Sequence, residues 1–341
     1  MGNNQFHFTG AVTINVQAPA PAVPPPPPPR PAELVAPEKQ IRFDPDKTYK
    51  NRKGYSPTFL GSSAALKVPL PTVTAARSGE LFMKNGKPYL LKYHHFSLVM
   101  NATRRLQMWS AANVDYDSTK KSQRNRDEFG KDTWIRDDRL PPEAQIQGKE
   151  FYDPATNIDR GHVVRREDNA WGDSETAIEY ANSDTFHWTN CTPQHEAYNQ
   201  ATPGRNDPTY RGMSGLWGAF ENHIQSSRKG QDTKATVLAG PVLNNEKDPA
   251  RDFGLGRVQY PESFWKVVVV ADADSDDEDA ARTLKVYGFV LSQKDVLGKF
   301  GIEVFDPDKF KKYMTSLKDI TKLTGVEFDA GLHGADMFGK L

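Results

Sequence analysis

Six consecutive prolines at residues 24–29 limit the folding of this 341-residue chain more than any other feature of its sequence. Proline has no backbone N–H and a fixed φ, so the run cannot join a helix or a sheet and must be extended polyproline II. Residues 1–33 are therefore predicted to form a flexible Pro-rich tail and linker with a short tag, "FHFTGAVTINV". The alternating apolar residues of the tag could pair with a partner's sheet edge, and a disordered tail is the competing interpretation.

Residues 41–337 have the composition of one globular domain. The dipeptide Asn85-Gly86 predicts a hairpin, and the runs "ATVLAGPVL", "FWKVVVVA" and "TLKVYGFVL" predict later strands. The segment "PDKFKKYMTSLKDITKLTG" predicts a late helix that ends at Gly325. Because these strands adjoin one another in sequence, we predict an α+β fold with a mainly antiparallel sheet flanked by helices.

The composition narrows the class of protein. Cys191 is the single cysteine, which excludes an intrachain disulfide framework and a cysteine-rich zinc site. The sequence has no basic segment followed by an apolar core at its start, and no apolar run long enough to span a bilayer. A soluble, cytoplasmic protein without membrane contact is therefore expected, with export by a signal-independent route left open.

The charges balance overall but cluster locally. Lysine plus arginine and aspartate plus glutamate number 44 each, so no global field indicates a polyanionic partner. Basic side chains nevertheless crowd residues 120–139 and 160–166, which form either a local anion-binding surface or a solvated face. The acidic run at 272–280 lacks the glycine and glutamate of a calcium-binding EF-hand loop and is read as a turn between strands.

The stretch 157–172, "NIDRGHVVRREDNAWG", places an acid, arginines and a histidine around one glycine. A phosphate-cleaving site and a histidine-based nucleophile site are the functional interpretations, and a solvated charged turn is the structural one. Further polar segments follow, "FHWTNCTPQHEAYNQ" at 186–200 and "SGLWGAFENHI" at 214–224. Phosphodiester hydrolysis needs such a set, namely a base for water, a cation at the phosphate oxygens and guanidinium groups for the transition state.

The order of these motifs resembles that of the DNA/RNA non-specific endonucleases, the ββα-metal nucleases that include endonuclease G. The resemblance rests on Asp159-Arg160-Gly161-His162, "TNCTPQ", the Asn199-Gln200 pair, and Trp217 with Glu221. It extends from "NRKGYSPTFLG" at 51–61 to the final "TGVEF". It implies a ββα-metal nuclease fold over residues 41–337 and metal-dependent, largely sequence-non-specific cleavage of DNA and RNA.

The resemblance also implies roles for individual residues. His162 is the general base that takes a proton from the attacking water. Asn199 is the direct protein ligand of a Mg²⁺ ion that keeps mostly water ligands, with Mn²⁺ as a substitute. Glu221 holds a metal-bound water, and whether it also binds the metal directly stays open.

Several arginines are candidates for contacts with the substrate phosphates. By the resemblance, Arg160 stabilises the pentacovalent phosphate, joined by Arg126 or, as the competing choice, Arg124. Relatives place the glutamate about two helical turns after the Asn-Gln pair, whereas "ATPGRNDPTYRGMSG" intervenes here, and its prolines and glycines exclude a continuous helix. The remaining candidate substrate contacts are Arg165 and, in this insert, Arg205 and Arg211.

Two other classes of function stay open. A catalytically silent nucleic-acid-binding or scaffold protein would keep the basic stretches and use residues 1–33 for a partner. A thiol hydrolase would use Cys191, which lies between His187 and His195, although buried cysteines are usually inert. An active nuclease endangers its host, so a regulated effector, in defence or as an exported toxin, is expected, with an inhibitor or partner at residues 1–33. Relatives are often dimeric, so a homodimer is a further expectation.

Overall fold

A computed structural model of the chain describes residues 40–122, 126–202, 215–227, 233–273, 282–294 and 307–340. The Pro-rich tail and most of the acidic run lie outside the described residues, as do Arg124, Arg205 and Arg211. Among the described residues, no helix is long and apolar enough to cross a membrane.

The described chain is rich in short strands separated by turns. The strands are β1 (Thr72–Val73), β2 (Met83–Lys84), β3 (Lys87–Pro88), β4 (Leu91–Lys92), β5 (Phe96–Met100), β6 (Gln107–Asp115), β7 (Ile158–His162), β8 (Cys191–His195), β9 (Lys234–Val242), β10 (Ala250–Asp252), β11 (Arg257–Gln259), β12 (Ser263–Ala273), β13 (Arg282–Ser292) and β14 (Val326–Glu327). The strands β2 and β3 form the predicted hairpin, and Asn85 and Gly86 both have positive φ, at 54° and 73°.

The central sheet is antiparallel throughout, with the strand order β13-β12-β9-β6-β5-β4. Its long strand β12 is apolar on both faces because both faces are covered. Val267 and Val269 pack into one buried cluster, whereas Val268 and Val270 pack into another. A continuous apolar run is what a strand buried on both sides requires. The predicted α+β class with a mainly antiparallel sheet is confirmed.

The helices are short and lie between the strands. They are α1 (Arg166–Asn169), α2 (Glu175–Asp184), α3 (Glu196–Asn199), α4 (Leu216–Ser227), α5 (Leu317–Thr324) and α6 (Ala330–Gly334). The apolar side of α4, including Trp217 and Phe220, packs in the same buried cluster as Phe264 and Val268 of β12. Helix α4 thus covers one face of the central sheet.

The late segment predicted as one helix is two pieces, so that prediction was wrong in its first half. Residues Pro307–Tyr313 form a 3₁₀ helix, and the backbone of Thr315 then donates to Gly288 O of β13 at 2.8 Å. Helix α5 starts afresh because the Ser316 hydroxyl accepts from Asp319 N. It ends at Gly325, whose φ of 68° is the left-handed cap that the sequence predicted.

Candidate active site

The Asp-Arg-Gly-His motif occupies strand β7, which pairs antiparallel with β8, and β8 leads directly into α3. Asp159 lies opposite Gln194, and His162 lies opposite Cys191. This is the strand-strand-helix order that the resemblance implies. The ladder fixes the backbone of the motif, and the alternation of side chains along a strand then decides which residues share a face.

The glycine of the motif makes room for a neighbouring side chain. A Cβ at Gly161 would lie 2.2 Å from Gln194 Oε1, far inside van der Waals contact. Gln194 is itself fully buried on the paired strand. Any side chain at Gly161 would therefore displace the buried side chain of Gln194.

Arg160 and His162 are two residues apart in β7, so both project from the same face of the strand. Arg160 is exposed, forms an ion pair with Asp153, and lies with its guanidinium 6.0 Å from the ring centre of Trp188. The aromatic ring and the carboxylate hold an otherwise mobile cation at one place. An exposed cation fixed in this way suits an anionic substrate.

His162 is held between aromatic rings. Its ring centre lies 4.6 Å from that of Trp134 and 4.8 Å from that of Phe186, which meets it edge to face. Trp134 in turn stacks on Trp188 at 5.4 Å, so the rings beside His162 and Arg160 are continuous. The imidazole is half-buried and limited in rotation, as a general base requires.

Asp159 connects the strand to the helix. Its Oδ2 accepts from Nδ2 of Asn199 at 2.8 Å and from Nε2 of Gln200 at 2.9 Å. A carboxylate only accepts, so the amide nitrogen of Asn199 must face it, and the amide oxygen Oδ1 points away from it. The Asn-Gln pair predicted on a helix is the last residue of α3 and its C-cap.

The residues on either side of the insert, Gln200 and Gly215, are hydrogen-bonded to each other. Gly215 N donates to Gln200 O at 3.0 Å, and α4 begins at the next residue. A Cβ at Gly218 would lie 2.7 Å from Asn199 O, so α4 presses on the end of α3 at a point where only glycine fits. The helix is not continuous, as the sequence predicted, and α4 is a separate helix packed on α3.

Glu221 lies inside the protein on α4. Its Oε1 accepts from Nζ of Lys266 at 2.8 Å, and its Oε2 lies 3.7 Å from Nε of Arg165. Lys266 is 1% exposed and projects from β12 toward Trp217, whose ring centre is 4.2 Å from Nζ. Burial raises the pKa of Glu221, and the charges of Lys266 and Arg165 act in the opposite direction.

The structure also locates three other candidate site residues, Arg126, Arg165 and Cys191. Arg126 begins a short 3₁₀ helix, Arg126–Phe129. Arg165 is mostly buried, donates to Asn222 Oδ1 at 2.7 Å, and lies near the carboxylates of Glu167 and Asp168 as well as Glu221. Its substrate contact stays a prediction. Cys191 is 1% exposed, and burial raises the pKa of its thiol far above the usual range, which disfavours a nucleophilic thiolate.

The amide oxygen of Asn199 is a donor of the kind that a magnesium ion accepts. Among the described residues, no three His, Cys, Asp or Glu side chains cluster as a metal site. Mg²⁺ dehydrates reluctantly and is often held by one or two protein oxygens. The oriented Oδ1 of Asn199 is one such oxygen.

Comparison with known proteins decides the family. The family model described as DNA/RNA non-specific endonuclease matches residues 77–335. The chain belongs to the DNA/RNA non-specific endonuclease family. This confirms the predicted resemblance and the enzyme class.

The chain is also similar to individual proteins. The chain is 33% identical over 276 residues to the uncharacterized protein y4fB of Sinorhizobium fredii, covering 77% of this chain and 36% of that protein. It thus spans about a third of that relative's length. It is 24% identical over 241 residues to a nuclease of Nostoc sp., covering 70% of this chain and 73% of the nuclease. The crystal structure of the EndoG/EndoGI complex aligns with a TM-score of 0.48 and 18% identity, covering 77% of this chain and 94% of that one.

The structure also places at the candidate site residues that the sequence did not single out. Asp153 holds Arg160, Trp134 packs on His162, and Lys266 holds Glu221. Lys266 did leave a signal, because it is a charge inside the apolar run "FWKVVVVA". A lysine in a strand buried on both faces must have a buried partner. Asp153 and Trp134 have no comparable signal.

Proposed function

We propose that this protein is a metal-dependent endonuclease that hydrolyses DNA and RNA with little sequence preference. The observation that carries the proposal is the pair of hydrogen bonds from Asn199 and Gln200 to Asp159. They tie the proposed metal ligand to the strand that carries Arg160 and His162. Family membership supports the reaction class.

His162 accepts the proton of the attacking water as that water bonds to phosphorus. Trp134 and Phe186 restrict the rotation of its ring, so a nitrogen can be presented to the water at low entropic cost. The electron pair of the breaking P–O bond leaves with the departing oxygen. General-base catalysis of this kind typically contributes about 10²–10⁴-fold to the rate.

Arg160 stabilises the additional negative charge on the phosphate in the transition state. It shares a face of β7 with His162, so both can address one phosphate. Its partner Asp153 is half-exposed, and substrate phosphate can compete for the same guanidinium. Arg126 is proposed to assist, and Arg124, Arg165, Arg205 and Arg211 stay candidate phosphate contacts.

Asn199 would hold Mg²⁺, or Mn²⁺ in its place, through Oδ1. When bound, the ion supplies Lewis-acid stabilisation of the phosphate oxygens. Asp159 orients the amide for this role. Glu221 has both carboxylate oxygens facing cations, which supports an indirect role through the position of α4 on α3 and disfavours direct metal binding.

Nicking of supercoiled plasmid and of a structured RNA, each with Mg²⁺ and with EDTA, tests the proposal. We expect cleavage of both substrates that EDTA abolishes and that His162→Ala reduces. Chelator-resistant cleavage blocked by alkylation would instead indicate Cys191. Binding without cleavage under any divalent cation would indicate a silent scaffold protein.

We further propose that the protein is a cytoplasmic or exported effector under control by a partner or inhibitor. The support is the sequence of residues 1–33, whose proline run separates the tag from the nuclease domain. Pull-down with residues 1–33 as bait, against a scrambled tag with the proline run intact, tests recruitment. Sedimentation of the full chain tests for the expected homodimer.

A further inference from the structure

The hairpin of β10 and β11 carries an exposed apolar tip between two arginines. We call residues 250–259 the Phe-Leu hairpin. Leu255 is 64% exposed and Phe253 is 37% exposed, although most large apolar side chains of the domain are buried. Arg251 and Arg257 flank them and are also exposed. Neighbouring exposed apolar side chains that are bordered by polar groups can form a binding surface.

The tip is rigid. Gly254 and Gly256 have φ of 94° and 115°, which side-chain-bearing residues rarely adopt. Asp252 Oδ1 accepts from the backbone N–H of both glycines, at 2.7 and 3.2 Å. The one carboxylate of the tip therefore closes the turn, and its charge is already satisfied by backbone donors.

The base of the hairpin is fixed to the domain. Val258 is 1% exposed in the main core, and Arg104 donates to Gln259 O at 3.1 Å while holding Asp248 at 2.7 Å. The side chain of Gln259 donates to the carbonyls of Asn245 and Asp248, both at 3.0 Å. The tip is presented at one place, so a ligand need not order it on binding.

Aromatic contacts link the hairpin to the candidate active site. The ring of Phe253 meets that of Phe151 at 5.6 Å, and Asp153, two residues further, pairs with Arg160. Tyr152, between them, stacks on Trp188 at 5.5 Å, the ring under Arg160. The Phe-Leu hairpin therefore packs against the segment that carries Asp153, the ion-pair partner of Arg160.

We propose that the Phe-Leu hairpin is a docking site for duplex nucleic acid next to the cleaved phosphate. Leu255 contacts the sugars and base edges of a groove, and Arg251 and Arg257 contact the phosphates on either side. Apolar side chains that enter a groove or a base step beside arginines are a known mode of minor-groove binding. The positive charges of Arg251 and Arg257 favour an anionic partner. Among the described residues, no carboxylate lies within 4.0 Å of either guanidinium group. The inference rests on the proposed function for its substrate class.

Two variants test the proposal with the full chain. Leu255→Ser removes the apolar contact, and the double variant Arg251→Gln and Arg257→Gln removes the charges. The matched controls are Met83→Ser and the pair Lys84→Gln and Lys87→Gln, on the hairpin of β2 and β3, where Met83 is 46% exposed. All six positions are on the surface, and thermal unfolding verifies that each variant is folded.

Binding is measured first, by fluorescence anisotropy of a labelled 20-base-pair duplex in EDTA, so that it needs no catalysis. We expect Leu255→Ser to weaken duplex binding about tenfold and the control not to. The arginine variant should reduce the slope of log Kd against log salt by roughly 0.9 for each lost phosphate contact. A short single strand, which has no groove, should bind Leu255→Ser and wild type equally.

Cleavage is measured second, with Mg²⁺ on the same duplex. We expect a higher KM and an unchanged kcat for Leu255→Ser. Duplex affinity equal to that of the Met83→Ser control would overturn the proposal, and so would a loss of self-association in sedimentation without a change in duplex affinity. A wild-type protein that binds duplex through the hairpin but never cleaves would refute the proposed function alone.

Discussion

Asn199 donates its amide to the carboxylate of Asp159 at 2.8 Å, across the junction between helix α3 and strand β7. The contact fixes which end of the amide is free. A proposed metal ligand is thereby oriented by a residue of the same four-residue motif that supplies the proposed base.

We expect Asn199→Ala to raise the Mg²⁺ concentration for half-maximal nicking by more than tenfold, because the protein oxygen is lost. Asp159→Asn should raise it about tenfold, since outer partners of a ligand typically contribute 10–100-fold to metal affinity. The matched control is Gln200→Ala, which removes the other donor to Asp159 and leaves the ligand in place. Titration of nicking with Mg²⁺ measures all three, and equal curves for Asn199→Ala and Gln200→Ala would remove Asn199 from the metal site.

We expect His162→Ala to lower the nicking rate by about 10²–10⁴-fold with duplex binding retained. The reason is that the variant loses the base while Arg160 and the proposed docking surface persist. His333→Ala, in the short helix α6, is the control for a general effect of losing a histidine. Single-turnover rates and anisotropy measure the two properties, and a fall of less than tenfold would assign the base elsewhere.

We expect Lys266→Met to destabilise the fold by about 3–5 kcal/mol, because it leaves the buried carboxylate of Glu221 without its closest cation. The double variant Glu221→Leu and Lys266→Met should recover most of that loss, since apolar groups then replace the whole pair. Urea denaturation measures the free energy of unfolding, with the exposed Lys318→Met as control. Equal stabilities of the single and double variants would contradict this explanation, because removing the unpaired carboxylate would then recover nothing.

We expect stability to fall between pH 6.5 and pH 4 in part through His95. Burial lowers the pKa of His95 to about 4, and its ring stacks on Trp171 at 3.7 Å. The unfolded chain, with a histidine pKa near 6.5, binds the proton first, so stability is lost as pH falls through this window, by roughly 3 kcal/mol in all. Unfolding free energies at pH 7 and pH 4.5 should differ less for His95→Phe than for wild type, and an unchanged difference would contradict the assignment.

We expect deletion of residues 1–33 to leave nicking of naked plasmid within about twofold of wild type. Residues 1–33 lie outside the described residues, and their proline run predicts a stiff segment of roughly 3 Å per residue that adds nothing to the candidate site. Toxicity in cells or co-purification of a partner should change instead. Loss of nicking by a truncated chain that remains folded would show that the tail helps to form the active enzyme.

Local sequence patterns predicted several features of the fold, because those features depend on interactions between neighbouring residues. The apolar run of β12, the Asn85-Gly86 turn and the Gly325 cap each depend on a few neighbouring residues, and each was correctly predicted. The break before Ser316 was missed, since it depends on a hydrogen bond to β13 from a distant part of the chain.

The same distinction applies to the candidate site. The motif itself indicated Arg160 and His162, whereas the ion pair of Glu221 with Lys266 joins residues 45 positions apart. Only the packing of α4 on the sheet brings these two together. Trp134 and Phe186, whose rings lie beside His162, likewise come from separate segments, so no spacing in the sequence could predict this packing.

The hydrogen bond between Gly215 N and Gln200 O joins the two ends of the segment between these residues. The chain departs and returns there within one contact, so the length between these residues can vary at a loop-closure cost that grows only slowly. The close approach of Gly218 in α4 to Asn199 is made by residues outside that segment. This junction is therefore a position at which the domain can accept inserted segments. A designed insertion there would leave Asn199 and α4 unchanged in sequence.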